Sequence, residues 1–171
     1  VRGAFRQIAD GFELGARNAI GVGLACASAG IIIGAITLTG LGLKLGNGLV
    51  ELAGGNLLIT LIFTMITSLI LGMGVPTTAN YIITSTIAAP ALIQLGVHPL
   101  AAHMFVFYFG IVADITPPVA LAAYAGAGIA KANPMKTGIT ATKLAIGAFL
   151  TPYIFVMNPS MLWINTTWYS M

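Results

Sequence analysis

Residues 71–81 read LGMGVPTTANY and follow LLITLIFTMITSLIL at residues 57–71, a run of apolar and hydroxylated side chains suited to a helix in a membrane. Gly72, Gly74, Pro76, Thr77 and Thr78 then stand where such a helix would continue. Glycine admits backbone conformations closed to other residues, and proline lacks the amide that a helix interior needs, so the pattern predicts a break. Residues 79–95 are apolar again, up to the punctuation GVHPL. The reading is helix, break, helix.

Toward the C-terminus the scheme recurs. Residues 99–113, PLAAHMFVFYFGIVA, run into DITPP at 114–118, and VALAAYAGAGIA resumes before KANP. Toward the N-terminus, residues 18–43 form one span rich in small residues, with Gly30 and Gly34 spaced for close helix approach. Residues 44–56, which include Lys44, Asn47, Glu51, Gly54, Gly55 and Asn56, read as a polar turn. Phe5, Ile8 and Phe12 share one side of a helix over about 3–17, with Arg2, Arg6, Asp10, Glu13 and Arg17 elsewhere, so residues 1–17 are expected to be an interfacial amphipathic helix or connector. Residues 131–171 supply a cytoplasmic loop, a last span over about 139–158, and a tail whose Trp163, Trp168 and Tyr169 suit a membrane interface.

Apolar residues make up 58% of the 171 positions and charged ones 6%, which excludes a water-soluble globule. The period-two alternation of a membrane barrel is absent, so the fold class is an all-α integral membrane protein. A scattered net charge of +3 without a basic stripe argues against a nucleic-acid partner and leaves membrane lipid as the surroundings. Cys26 stands alone in an apolar segment and reads as a small packed side chain, with no disulfide framework and no transition-metal spacing. His98 and His103, beside Pro99, suit interface or helix-capping roles better than metal binding. Without HExxH, GxSxG or a P-loop, no enzyme chemistry, ATP hydrolysis or organic cofactor is expected. The opening VRGAFRQIADGFELGAR carries no signal-peptide pattern and reads like a segment arriving from a preceding domain, so the chain is expected to be a piece of a longer one.

Arg2, Arg6 and Arg17 precede the first span, and Lys131, Lys136 and Lys143 lie between the second broken unit and the last span. Cytoplasmic loops collect basic residues, so 57–130 must make one net crossing: one broken unit crosses and the other turns back. Charge leaves open which does so. The short halves and Gly-Pro-Thr-Thr centre of 57–95 suit a tight tip, and the resemblance given below, more than these features, implies that 57–95 is a re-entrant hairpin entering from outside and 99–130 the crossing, discontinuous helix.

Unpaired backbone groups cost several kcal/mol in hydrocarbon, so two breaks at depth demand a use. The end of one half-helix offers carbonyls with partial negative charge, which suit a small hard cation; the start of the next offers amides, which suit an anion. Secondary transporters build coupled sites in this way. The expected cation ligands are Gly72, Gly74, Thr77 and Thr78 at the first break, with Asp114 and Thr116 at the second. Pro76, Asn80, Pro117 and Pro118 are expected to form the breaks or face substrate. Asp114 would cost about 2.5–3.5 kcal/mol at mid-membrane unless paired or hydrated; capping the helix that follows, near Thr116, is its alternative role. An ordinary proline kink is the alternative for the first break.

LILGMGVPTTANYIITSTIAAPAL (69–92), HPLAAHMFVFYFGIVADITPPVALAAYAGAGIAKANPMKTG (98–138) and FVMNPSML (155–162) resemble the large membrane subunit of TRAP transporters, most of all the fused permeases that work with TAXI-type binding proteins. The resemblance covers nearly the whole chain. It implies a tripartite ATP-independent importer of the bacterial or archaeal inner membrane, multi-pass and driven by sodium. An extracytoplasmic solute-binding protein would deliver a carboxylate-bearing solute, alongside a small membrane subunit or its fused equivalent. The family's large subunit has two inverted repeats, each with a hairpin and a discontinuous helix, in an elevator-type transport domain. This sequence resembles the second repeat only, so the remaining half of the permease is a further expected partner. The rivals are a sodium/dicarboxylate symporter that needs no binding protein and, from another class, a channel or non-transporting scaffold subunit.

Overall fold

The computed structural model describes residues 2–164, all of whose regular structure is helical. The expected tail aromatics Trp168 and Tyr169, and the side chains of Phe5 and Cys26, lie outside the described residues. Nine α-helices follow one another among those residues: α1 (Arg2–Thr39), α2 (Leu41–Leu52), α3 (Leu57–Gly72), α4 (Thr77–Ile87), α5 (Ala89–Gln94), α6 (Pro99–Val112), α7 (Leu121–Ala130), α8 (Pro134–Leu144) and α9 (Ile146–Met157). A 3-10 turn, Ala113–Ile115, extends α6, and another, Pro159–Leu162, follows α9.

The N-terminal third differs from its sequence pattern in two respects. The amphipathic segment and the first apolar segment form one helix, α1, without a joint at residue 17. Gly11 and Gly15 have open space around them and do not interrupt it, and the Arg17–Glu13 pair at 2.9 Å spans one of its turns. Second, the polar turn expected over 44–56 is helical as far as Leu52. Gly40, in the left-handed conformation at φ 64°, ends α1 and restarts the chain as α2. Lys44, Asn47 and Glu51 are exposed at the i, i+3, i+7 positions of one face, whereas Gly42 and Gly46 are buried against α4 and α5. The connection shrinks to residues 53–56, where Asn56 caps α3 by accepting from the amides of Leu58 (3.0 Å) and Ile59 (3.3 Å).

The spine is α6. Pro99 opens it and His98 caps it through Nδ1, as its position suggested. Ala101, Ala102, Phe105, Val106, Phe109 and Gly110 are buried beneath α3, α4, α5 and α9. Phe105 and Phe109 meet edge to face at 4.9 Å, and Tyr153 of α9 closes on Phe105 at 5.4 Å. α3 and α4 pack against each other and against α6, so the chain folds back on itself at the first break.

On α3 the usual polarity is inverted. Thr60, Thr64, Ser68 and Gly72 are buried, whereas Ile59, Ile62, Ile66 and Ile70 are exposed at helical spacing. A polar interior behind an apolar outer face suits lipid or protein surroundings and not water. Among the described residues no single helix is long and apolar enough to cross a membrane. Two bent pairs together are, by length and composition: Gly30–Ile36 with Leu41–Leu52, bent 71°, and Pro134–Leu144 with Ile146–Met157, bent 41°. The span expected over 139–158 is therefore an angled pair joined at Ala145.

Candidate functional site: a cleft shared by two helix breaks

The first break, Met73–Pro76, turns on Gly74 at φ 73°, and Pro76 leads directly into α4. The second comprises residues 116–120 and ends on Ala120 at φ 38°, from which α7 starts. The two breaks open on one cleft of about 430 Å³, lined by Gly74, Val75, Pro76, Thr77, Thr78, Asp114, Leu121 and Ala122.

Neither α4 nor α7 has a side-chain cap. Each therefore presents first-turn amides without an intrahelical partner, and residues of both first turns, Thr77, Thr78, Leu121 and Ala122, line the cleft. Their partial positive charge favours an anion. Asp114 is half-buried on the same cleft. It does not cap the following helix: the amide of Thr116 donates to the Ala113 carbonyl (3.1 Å), and α7 begins five residues beyond that amide. The cleft thus combines two uncapped helix N-termini, two hydroxyls and one carboxylate.

Of the ten residues singled out in the sequence, Gly74, Pro76, Thr77, Thr78 and Asp114 meet here. The other five lie elsewhere. Thr116 donates its hydroxyl to the Val112 carbonyl at 2.7 Å, and with Pro117 it lines a separate cavity of about 300 Å³ beside Ile139, Thr142, Lys143 and Ile146. Pro118 is exposed, and its carbonyl accepts from the Tyr124 hydroxyl (2.8 Å). Gly72 and Asn80 are buried behind the first break, against Gly110 of α6. Carbonyls of the turn before Pro117 are engaged within the chain: that of Ala113 accepts from the Thr116 amide (3.1 Å), and that of Ile115 accepts from the Thr142 hydroxyl of α8 (3.0 Å).

Sequence reading missed Val75, Leu121 and Ala122 as lining residues, because apolar positions carry no chemical signature. It also missed the brace formed by α8. Gly138 stands so near the second break that an added Cβ would lie 3.1 Å from Tyr124 Cε1 and 3.3 Å from Pro117 Cγ. His103 does not cap a helix; its Nδ1 is 3.1 Å from the Tyr81 hydroxyl, tying α6 to α4. Among the described residues no three His, Cys, Asp or Glu side chains gather as metal ligands would.

The family model of the DctM component of the tripartite ATP-independent periplasmic transporter matches residues 2–169. The chain belongs to the DctM family. It is a membrane-embedded permease component of a TRAP transporter, and the family is one of transporters and not of enzymes. As the large component of a tripartite system, DctM works with a binding protein and a small membrane subunit. No curated protein and no solved structure matches this DctM chain.

Proposed function

We propose that the cleft is the coupled binding site of a sodium-driven importer for a carboxylate-bearing solute. The observation that carries this reading is the meeting of both breaks on one cleft, where the first turns of α4 and α7 face the same space as Asp114. The amides suit the carboxylate of a solute. The Asp114 carboxylate and the hydroxyl oxygens of Thr77 and Thr78 are hard donors that suit sodium. Asp114 also gives a reason for coupling. While its charge is uncompensated, a second carboxylate entering the cleft is repelled; a bound cation removes that repulsion, so each ligand raises the affinity for the other.

In this reading residues 57–95 are the re-entrant hairpin and 99–130 the discontinuous crossing helix. They form the second of two inverted repeats in an elevator-type transport domain of the inner membrane. An extracytoplasmic binding protein, of the TAXI type by resemblance, hands the solute to the cleft. Thr116, Pro117 and Pro118 shape the second break and leave cation contact to Asp114.

The test is thermal melting of the intact permease in sodium against potassium at equal ionic strength. A ligand bound only by the folded state adds about 2.7 kcal/mol at a hundred times its dissociation constant. Sodium is expected to raise the melting temperature in the parent and to lose that effect in Thr77→Ala. Equal melting of the parent in the two salts would overturn the sodium assignment.

A further inference from the structure

Behind the cleft, Asn80 occupies a slot walled by two glycines from different helices. A Cβ on Gly110 would stand 2.7 Å from Asn80 Nδ2, 2.8 Å from its Oδ1 and 3.0 Å from its Cγ. One on Gly72 would stand 2.7 Å from the Gly110 carbonyl oxygen and 2.9 Å from Asn80 Nδ2. Real Cβ atoms do not approach other heavy atoms so closely, so both walls must be glycine for this carboxamide to lie where it does. Asn80 is 2% exposed, and its Oδ1 has no hydrogen-bond partner. An unpaired buried acceptor is a liability that an apolar side chain of similar size would avoid, so packing alone does not account for an asparagine here.

Its place along the chain supplies an account. Asn80 sits one helical turn beyond Thr77, and its amide donates to the Pro76 carbonyl at 2.9 Å. Gly110 sits one turn before Asp114. The slot therefore links the two walls of the cleft through the protein, Thr77 to Asn80 along α4, across the contact, and Gly110 to Asp114 along the end of α6, beside the direct approaches of Gly72 to Ala113 and of Gly74 to Val119. We propose that Asn80 is a positioning residue, a key whose seating between Gly72 and Gly110 sets the separation between the hairpin tip and Asp114. The sequence left Asn80 to form the break or to face substrate; in this reading it acts on the bound ion through the geometry of the cleft. The proposal rests on the cleft being the binding site, but the key and slot can be read without any ligand.

The experiment uses the intact permease in a background free of other reactive cysteines, with spin labels at Ser85→Cys on α4 and Ala125→Cys on α7, neither of which lines the cleft. Distance distributions between the labels are compared in the parent, Asn80→Ala, Gly110→Ala and the double variant, alongside the sodium concentration that half-saturates the melting shift. Asn80→Ala is expected to broaden the distribution and to raise the half-saturating sodium at least tenfold. Gly110→Ala is expected to displace the distance. The double variant should recover most of that displacement, because Ala at position 80 vacates the space the new Cβ requires. A parent-like distribution in Asn80→Ala, or a double variant displaced as far as Gly110→Ala, would sink the proposal. If Gly110→Ala fails to fold, Asn80→Ala alone decides by the width of its distribution. A parent without a sodium response would refute the proposed cation site and leave the label distances to judge the key.

Discussion

Three glycines on α2 make one substitution give three outcomes. A Cβ on Gly42 would lie 2.7 Å from the Thr86 carbonyl oxygen and 3.2 Å from Ile36 Cγ2; on Gly46 it would lie 3.4 Å from the Ala91 amide and 3.5 Å from Pro90 Cβ; on Gly48 nothing stands within 4 Å. Each Gly→Ala change gains about 0.5–1 kcal/mol of helix stability from lost backbone freedom. At Gly48 nothing opposes that gain. At Gly42 the obstacle is a backbone oxygen, which cannot swing aside like a side-chain end, so overpacking of about 1–3 kcal/mol applies. The expected net effects are a gain of about 0.5–1 kcal/mol for Gly48→Ala, a change near zero for Gly46→Ala and a loss of about 1–2 kcal/mol for Gly42→Ala. For a domain of this size 1 kcal/mol moves the melting temperature by about 2–4 °C, so the outer variants should separate by roughly 3–12 °C. The assay is thermal melting of the detergent-solubilised permease. Two results would refute the reasoning: Gly42→Ala melting with or above Gly48→Ala, which denies the approach of α2 to Thr86, or Gly48→Ala melting below the parent, which denies that residues 44–52 are helical.

Thr116→Val should keep the sodium-dependent rise in melting temperature that Thr77→Val loses, while melting lower in both salts by the loss of one hydrogen bond to Val112, about 1 kcal/mol; a lost sodium response in Thr116→Val would return Thr116 to the cation site. Phe105→Ala removes a fully buried ring between Phe109 and Tyr153 and should lower stability by about 3–5 kcal/mol in sodium and potassium alike, read by the same melts. A loss below about 1 kcal/mol would mean that α6 is not the packing spine.

The helical segments around both breaks were legible because their causes are local. Gly74 admits the left-handed backbone that ends a helix, Pro76 removes an amide, and Pro117 with Pro118 removes two more, whatever packs around them. The cap at His98 is likewise near-neighbour chemistry. The stretch at 44–52 was misread because Lys44, Asn47, Gly48 and Glu51 look like a turn by composition. Their i, i+3, i+7 spacing carried the opposite signal, and it becomes decisive only once Gly42 and Gly46 have a partner surface in α4 and α5.

The site divides along the same line. Composition and the two interruptions determined by themselves that this chain is a helical membrane protein with two breaks to explain, because hydropathy and the backbone chemistry of glycine and proline are properties of single residues. Which chemistry each break offers depended on orientation and on neighbours far along the chain. Thr77 and Thr116 are equivalent in sequence terms, yet one lines the cleft and the other bonds to its own helix. Gly110 has no signature apart from Asn80, thirty residues away, and Thr142 none apart from the Ile115 carbonyl it reaches. A contact across that separation exists only after α3, α4 and α8 have packed around α6 and the second break, so the tertiary structure alone decided which of the promising residues share a space.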